Sequence, residues 1–226
     1  SVVDMERLGV YDKLLMIPLF TGMGKDELEH IVAKTKLLFQ KVEKDEVVVS
    51  EGDRCGCLWF LLEGTLLVET RSDDHGFMVV EEQSGCHVLQ PECAFGLRQR
   101  FTRTYKALTT CNLISIDKNE TQRLTTASLI FRLNLMNLLS TRLQKEGHKA
   151  WRPTPHDLRQ RIVRFMADHC QHPSGRKVFK IKMQRLADEV NDSRRNVSQC
   201  LNVMQQNGLL LLRRGQIEVP ALEKLS

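Results

Sequence analysis

The segment Met183–Gln206, MQRLADEVNDSRRNVSQCLNVMQQ, carries the strongest structural signal in this 226-residue chain. Apolar residues recur at helical spacing on both sides of Asn191-Asp192, as Leu186, Ala187 and Val190 before the pair and Val197, Leu201 and Met204 after it. Two short amphipathic helices joined by a tight turn are typical of a helix-turn-helix. Asp192 or Ser193 can cap the second helix, because a short side-chain oxygen accepts a hydrogen bond from a free N–H of the first turn.

The first turns of the second helix present polar and cationic side chains, which are Ser193, Arg194, Arg195, Asn196, Ser198 and Gln199. A solvated helix face is one interpretation of such a cluster. Its position directly after a tight turn favours another, because these side chains suit base edges and phosphates. We therefore predict that this helix reads DNA, and we add Lys180 and Arg213 as phosphate contacts.

The flanking sequence completes a winged helix. An amphipathic helix is predicted over His156–Cys170, a strand over Val178–Ile181, and a hairpin wing from Leu209–Arg213 and Gln216–Val219. The two prolines of the segment 147–155 stop the preceding helix and mark a hinge. The DNA-binding domain is thus predicted over residues 151–226.

Charge and composition fit this interpretation. Residues 154–226 hold thirteen Lys/Arg and seven Asp/Glu, a net charge of +6, whereas the remainder carries −1. A basic domain on a near-neutral body is the electrostatic pattern of a nucleic-acid binder. We expect a cytoplasmic protein with no membrane partner, because no apolar run reaches the length of a membrane span and the seven cysteines form no paired framework.

The N-terminal half has a different character. Residues 12–32 suggest short helices broken at Pro18 and at the glycines 22 and 24, and residues 36–117 contain short β-rich runs separated by glycine and acidic turns. Many short strands at close spacing predict a sandwich or barrel rather than βαβ units. We assign residues 1–117 to a sensing domain.

A long helical pattern covers about residues 119–147. Its apolar seam is formed by Leu129, Leu133, Met136 and Leu143, with Ser140 as a polar interruption. Such a helix can pack on its own domain alone, but its apolar residues lie on more than one side. We therefore predict that residues 118–150 form a dimerisation helix.

Taken in order, these motifs resemble the cyclic-AMP receptor protein/FNR (Crp/Fnr) family, and the resemblance runs from Ile17 to Val219. IPLF at 17–20, EGD at 51–53 and LWFLLEG at 58–64 are similar to its lead-in and early strands, and residues 186–209 follow its helix-turn-helix pattern. The resemblance implies an α+β fold with an N-terminal cyclic-nucleotide-binding-like β-barrel (jelly roll), a long dimerisation helix and a C-terminal winged helix-turn-helix. It also implies a homodimer that binds double-stranded DNA.

Family members that bind cyclic nucleotides hold the ribose with a Gly-Glu pair and the phosphate with an Arg-Ser/Thr pair. Here Glu92 follows a proline, Phe101-Thr102 occupies the place of Arg-Ser, and Arg103-Thr104 offers that chemistry two residues later. A shift of two residues keeps the same strand face. The resemblance implies an effector pocket, and we expect no tight binding of cyclic AMP. The candidate pocket residues are His87, Glu92, Arg100, Thr102, Arg103 and Thr104.

The effector stays open at this point. Cys55, Cys57, Cys86 and Cys93 lie in the barrel region, but free cysteines are usually buried and we predict no metal site. His87 could ligate a haem iron. The cofactor is therefore unknown: none, a haem or a cyclic nucleotide.

We expect an effector-controlled, homodimeric transcription regulator that is not an enzyme, since no catalytic constellation stands out. RNA polymerase is a further partner if the protein activates transcription. The alternatives are a haem- or thiol-based regulator responding to redox state or nitric oxide, a cyclic-nucleotide-binding regulatory module of an enzyme or channel, and a structural protein whose winged helix contacts proteins.

Overall fold

The computed structural model describes residues 2–226, which form seven α-helices and eleven β-strands in this described part of the chain. The helices are α1 Val2–Leu15, α2 Lys25–Lys34, α3 Lys118–Ala127, α4 Leu129–Lys149, α5 Leu158–Asp168, α6 Met183–Val190 and α7 Arg194–Gln206. The strands are β1 Leu38–Val42, β2 Val47–Val49, β3 Cys57–Glu63, β4 Thr65–Arg71, β5 Phe77–Ser84, β6 His87–Leu89, β7 Arg103–Ala107, β8 Cys111–Asp117, β9 Lys177–Ile181, β10 Leu211–Arg213 and β11 Gln216–Val219.

The chain divides into two compact units, and the division does not follow the order of the sequence. In the described residues, the first unit holds 2–66 and Gln83–His148, and the second holds Leu67–Glu82 and Lys149–Ser226. The hairpin of β4 and β5, which the sequence analysis placed within the sensing domain, therefore groups with the winged helix.

The first unit is jelly-roll-like. Strands β1, β8, β3 and β6 form one antiparallel sheet in that order, and β2 pairs with β7. The predicted strand-rich α+β fold is confirmed, although the sheets do not close into the barrel that we expected. Phe20 fills the core between Phe60 and Phe131, with ring centroids 5.8 and 5.5 Å away.

The turn between β3 and β4 requires glycine. Gly64 has φ of +97°, and a Cβ atom there would lie 2.4 Å from the carbonyl oxygen of Thr110 and 2.8 Å from Sγ of Cys111. Both the backbone conformation and the close approach exclude a larger residue. The structure thus explains why glycine occupies the last position of the motif at residues 58–64.

The single long helix predicted over residues 119–147 is wrong in one respect, because Ser128 divides it into α3 and α4. Ser128 has an extended backbone (φ −126°, ψ 116°), and its Oγ accepts a hydrogen bond from the N–H of Phe131 at 3.2 Å. The same hydroxyl group lies 3.3 Å from Oε1 of Glu27 on α2. A serine that satisfies a free N–H in this way begins a new helix.

The second unit is a winged helix to which the β4–β5 hairpin contributes. Its strands lie in the order β10, β11, β9, β5 and β4. Phe77 and Val79 of the hairpin belong to the same apolar core as Ile162, Phe165 and Met166 of α5. No helix in the described residues is both long enough and apolar enough to span a membrane.

Candidate nucleic-acid interface and effector pocket

The turn between α6 and α7 is held by a small polar network. Asn191 ends α6 in the left-handed conformation (φ 54°, ψ 56°), which asparagine tolerates better than most residues. Arg161 of α5 donates to the carbonyl oxygen of Val190 at 3.0 Å and to Oδ2 of Asp192 at 2.7 Å. The angle between the two helices is therefore fixed by side-chain hydrogen bonds as well as by apolar packing.

Ser193 is the N-cap of α7, which resolves the two candidates left by the sequence. Its Oγ accepts a hydrogen bond from the N–H of Asn196 at 3.1 Å. Asp192 instead accepts from the N–H of Ser193 at 2.7 Å and from Nδ2 of Asn196 at 2.8 Å. These hydrogen bonds, that of the Asn196 side chain first, lower the pKa of the Asp192 carboxyl group.

The predicted reading face of α7 is open to solvent in this chain. Arg194, Arg195 and Gln199 are exposed, Ser198 is half-buried, and Val197 is fully buried against the rest of the unit. The helix-turn-helix thus buries its apolar side and presents two guanidinium groups and one amide at its exposed N-terminal end. Asn196 is also exposed, but its side chain is engaged with Asp192.

The two predicted phosphate contacts lie on strands of the same sheet. Lys180 of β9 is exposed and stands in register between Met78 on β5 and Gln216 on β11. Arg213 of β10 lies in the wing, where its Nε donates to Oε1 of Glu218 at 3.0 Å. Both cations are therefore available on the surface of the winged helix, Arg213 with one of its donors occupied.

In the first unit, two arginines converge on Glu92. Arg103 Nη1 lies 3.6 Å from Oε1 of Glu92, and Arg142 Nη1 donates to Oε2 at 2.5 Å. Arg142 belongs to α4, so a residue of the predicted dimerisation helix reaches the candidate effector pocket. The sequence analysis missed Arg142, because it belongs to no local motif and lies 50 residues from Glu92.

The other candidate pocket residues are tied to neighbouring loops. Buried Gln90, in the left-handed region at φ 37°, donates to the hydroxyl oxygen of Thr102 at 2.7 Å and accepts from the N–H of Arg103 at 3.1 Å. Thr104 Oγ1 accepts from the N–H of Glu51, and Arg100 donates to the carbonyl oxygen of Gly52. The structure thus brings Glu92 and Arg103 together directly, whereas Arg100, Thr102 and Thr104 make loop contacts.

His87 lies on β6, a strand that the sequence analysis did not predict. Desolvation, with a smaller contribution from Arg142, lowers the pKa of its imidazole. The imidazole is therefore neutral over more of the physiological pH range than an exposed one.

The cysteines of the first unit are protonated thiols at neutral pH. Burial raises the pKa of Cys55 to about 11 and also raises the pKa values of Cys57, Cys86 and Cys93. In the described part of the chain, no group of three or more His, Cys, Asp or Glu residues could hold a metal ion. Cys55 and Cys93 are buried and Cys57 and Cys86 are half-buried.

Helix α4 buries one face and exposes an apolar stripe along another. Phe131 and Leu135 are buried. The exposed fractions of the predicted seam residues are 57% for Leu129, 46% for Leu133, 57% for Met136 and 74% for Leu143. An exposed apolar stripe of this length is typical of a surface that another helix covers.

Comparisons with known families and proteins agree with this geometry. The family model of the cyclic nucleotide-binding domain matches residues 39–128, and that of the Crp-like helix-turn-helix domain matches residues 160–226. A curated relative, the "cAMP-activated global transcriptional regulator Vfr" of Pseudomonas aeruginosa, is 24% identical over 172 residues, which cover 72% of this chain and 80% of the relative.

Two solved structures share the fold. The catabolite activator protein of Thermus thermophilus matches with a TM-score of 0.54 at 17% identity, covering 92% of this chain and 96% of that one. The c-di-GMP responsive global regulator CLP of Xanthomonas campestris matches with a TM-score of 0.52 at 22% identity, covering 87% and 99%. This chain and the two solved structures thus have the same overall fold.

Proposed function

Because the chain belongs to the Crp/Fnr family of transcription regulators, we propose that it acts in the cytoplasm as a homodimer that reads a two-fold symmetric DNA site under the control of a small effector. The observation that carries this proposal is the exposed N-terminal end of α7, capped by Ser193 and packed on α6. RNA polymerase is a further partner if the bound dimer activates transcription. No catalytic role is proposed.

Base reading rests on Arg194, Arg195 and Gln199. Arginine pairs with the O6/N7 edge of guanine and glutamine with the N6/N7 edge of adenine, which makes both suitable for direct readout in the major groove. Ser193, Ser198 and Asn196, together with Lys180 and Arg213, contact phosphates and set the register of the domain on the duplex. In a dimer, this geometry requires half-sites about one helical turn apart.

The dimer forms through α4. Its exposed stripe, Leu129, Leu133, Met136 and Leu143, packs against the same stripe of a second chain, because a two-fold axis pairs identical surfaces. Burial of this apolar surface supplies the main favourable free energy of association. Arg142 lies on the same helix, so the ion pair with Glu92 joins the pocket to the element that holds the dimer together.

The effector is proposed to be a molecule other than cyclic AMP. Vfr is described as activated by cyclic AMP, but here Glu92 follows a proline and both its carboxylate oxygens face arginines. A cyclic nucleotide would have to displace Arg142 before its ribose could reach Glu92.

The alternative of thiol-based redox sensing is disfavoured by the raised thiol pKa values, since the thiolate is the reactive form. Haem ligation by His87 is the alternative with an observation in its favour, because a neutral imidazole is the form that binds iron.

Selection from random duplexes with the full-length protein tests the proposed function. We expect enrichment of a palindrome with half-sites about 10–11 base pairs apart. Failure to enrich any duplex at low salt would contradict the proposed function and favour a winged helix that binds proteins.

Calorimetry with cyclic AMP tests the effector. Micromolar affinity that disappears in Arg103→Ala would show that the shifted Arg-Thr pair holds a phosphate after all. An absorption spectrum of protein purified without oxygen tests for haem.

A further inference from the structure

The winged helix contains a strand that the sequence places far outside it. Strand β5 pairs antiparallel with β9 over five residue pairs, from Phe77 opposite Ile181 to Glu81 opposite Lys177. Strand β9 lies between β5 and β11, so the wing sheet is continuous with the β4–β5 hairpin. The hairpin therefore covers what would otherwise be an open sheet edge of the DNA-binding unit.

A buried ion pair closes this strand pairing. Lys177 Nζ lies 2.7 Å from Oε2 of Glu81, and only 1% and 2% of the two side chains are exposed. The Glu81 carboxylate also accepts hydrogen bonds from the backbone N–H of Gln171 at 2.9 and 3.1 Å and of His172 at 3.4 Å. Both charges are buried and each is the counterion of the other, so removal of one partner leaves the other buried without its counterion.

The hairpin also contacts the two helices that support α7. Phe77 packs on Phe165 and His169, with ring centroids 5.5 and 5.3 Å away. Arg185 of α6 donates to Asp74 and lies 5.2 Å above the ring of Phe77. None of these contacts involves the exposed side chains of α7, so a docked hairpin leaves the reading face open.

The chain passes between the two compact units at three places. These are the junctions after residues 66, 82 and 148, of which the first lies near the start of β4 and the second near the end of β5. Three covalent connections, rather than a single linker, therefore join the two units, and two of them run through the strands of the β4–β5 hairpin.

We propose that the β4–β5 hairpin is a positioning element for DNA reading, that the buried Glu81–Lys177 pair holds it in place, and that its pairing with β9 persists in the DNA-bound protein. The proposal rests on the proposed function, since it concerns how two recognition helices of a dimer are placed on two half-sites. Binding of both half-sites by one dimer is strengthened when the two reading units are held in advance at the required separation, because less orientational freedom is lost.

The test compares a duplex carrying the full selected palindrome with one carrying a single half-site, using full-length protein at fixed salt. In Glu81→Gln we expect the Kd for the full site to rise at least tenfold and the Kd for the half-site to change less than twofold. The paired variant Glu81→Gln/Lys177→Met removes both charges while it keeps an acceptor oxygen for the N–H groups of Gln171 and His172, and full-site affinity should return to within threefold of wild type. Equal losses on both duplexes, no loss on either, or no recovery in the paired variant would overturn the proposal.

A second variant keeps the test independent of folding defects. Val80 and Val178 are partners in the β5–β9 register, so Val80→Cys/Val178→Cys places two cysteines opposite each other. Oxidation of this pair should leave full-site affinity within twofold of the reduced protein. A tenfold loss on oxidation that a reductant reverses would show that β5 must leave β9 for DNA binding, which contradicts the proposal. A wild-type protein that binds no duplex would instead contradict the proposed function. Hydrogen exchange at the backbone amides of residues 177–181 would then test the hairpin pairing by itself. We expect these amides to be protected in wild type and to lose that protection in Glu81→Gln.

Discussion

Among individual residues, Arg195 offers the sharpest test of base reading. Its guanidinium group is exposed near the N-terminus of α7, where an arginine can form a bidentate pair with guanine. We expect Arg195→Ala to cost about 1–3 kcal/mol on the best site and to relax preference at one base pair. Selection from random duplexes with both proteins measures this.

Lys180→Ala is the matched control, because it also removes one exposed cation from the same unit. A phosphate contact carries no sequence information, so this variant should weaken all sequences about equally. If wild type and Arg195→Ala enrich the same motif with equal stringency, Arg195 does not contact a base.

The buried thiol of Cys55 should make the free energy of unfolding fall as the pH rises. Burial raises the pKa of its thiol from 9.0 to about 11, so the folded state retains a proton that the unfolded state loses. The stabilisation is complete below about pH 9 and is lost as the pH rises toward 11. Urea unfolding of wild type should therefore show a steeper fall in stability between pH 9 and 11 than that of Cys55→Ala. Parallel profiles of the two proteins would mean that the Cys55 thiol titrates normally.

At the scale of elements, the apolar stripe of α4 makes a prediction about assembly. Leu133→Asp places a carboxylate on each side of the proposed seam, which we expect to cost several kcal/mol per dimer. Sedimentation should then show a monomer, and binding to the palindrome should weaken sharply. Thr141→Asp adds the same charge to an exposed position of the same helix outside the seam and should remain dimeric. A Leu133→Asp protein that stays dimeric would place the interface on another face.

The elements also show what sequence patterns can and cannot predict. The two helices on either side of Asn191-Asp192 were predicted from the sequence, because a polar cap and apolar residues at helical spacing are local signals. The division at Ser128 was not predicted, since it depends on a hydroxyl group that caps α4 and contacts α2. Strand β6 is three residues long and is defined by its pairing with β3, which no local pattern encodes.

At the scale of the whole molecule, Lys177 has opposite effects in two contexts. In the full chain, Lys177→Met leaves the Glu81 carboxylate buried without its cation, and we expect a loss of about 3–5 kcal/mol in stability. In the Glu81→Gln variant of the full chain, the lysine is already buried without its counterion, so the same substitution should stabilise the protein. Urea unfolding of the four proteins measures both signs. A loss in both contexts would mean that Glu81 is not what compensates the charge of Lys177.

Sequence patterns did not reveal this pairing, because residues 81 and 177 are 96 positions apart and each looks unremarkable locally. The sequence analysis placed Glu81 in a β-rich run of the sensing domain, and Lys177 directly before the strand predicted over Val178–Ile181. The effector pocket shows the same limit: Glu92 and Arg103 could be proposed from a motif, whereas Arg142 could not. Local sequence patterns do not reveal contacts between segments that are far apart in the sequence and close together in the fold.

The strand shared between β5 and the wing sheet has an evolutionary consequence. A recombination near residue 148 would join a new DNA-binding domain to the old sensing domain. The first strand of the new domain would then face a β4–β5 hairpin that had not evolved with it. The residue at position 177 would likewise meet a Glu81 that had not been selected to pair with it. Substitutions at positions 81 and 177 are therefore expected to be inherited in pairs among descendants of this chain. Its sensing and reading halves can diverge in ligand and in target sequence, but they cannot be shuffled as independent cassettes unless the hairpin travels with the winged helix.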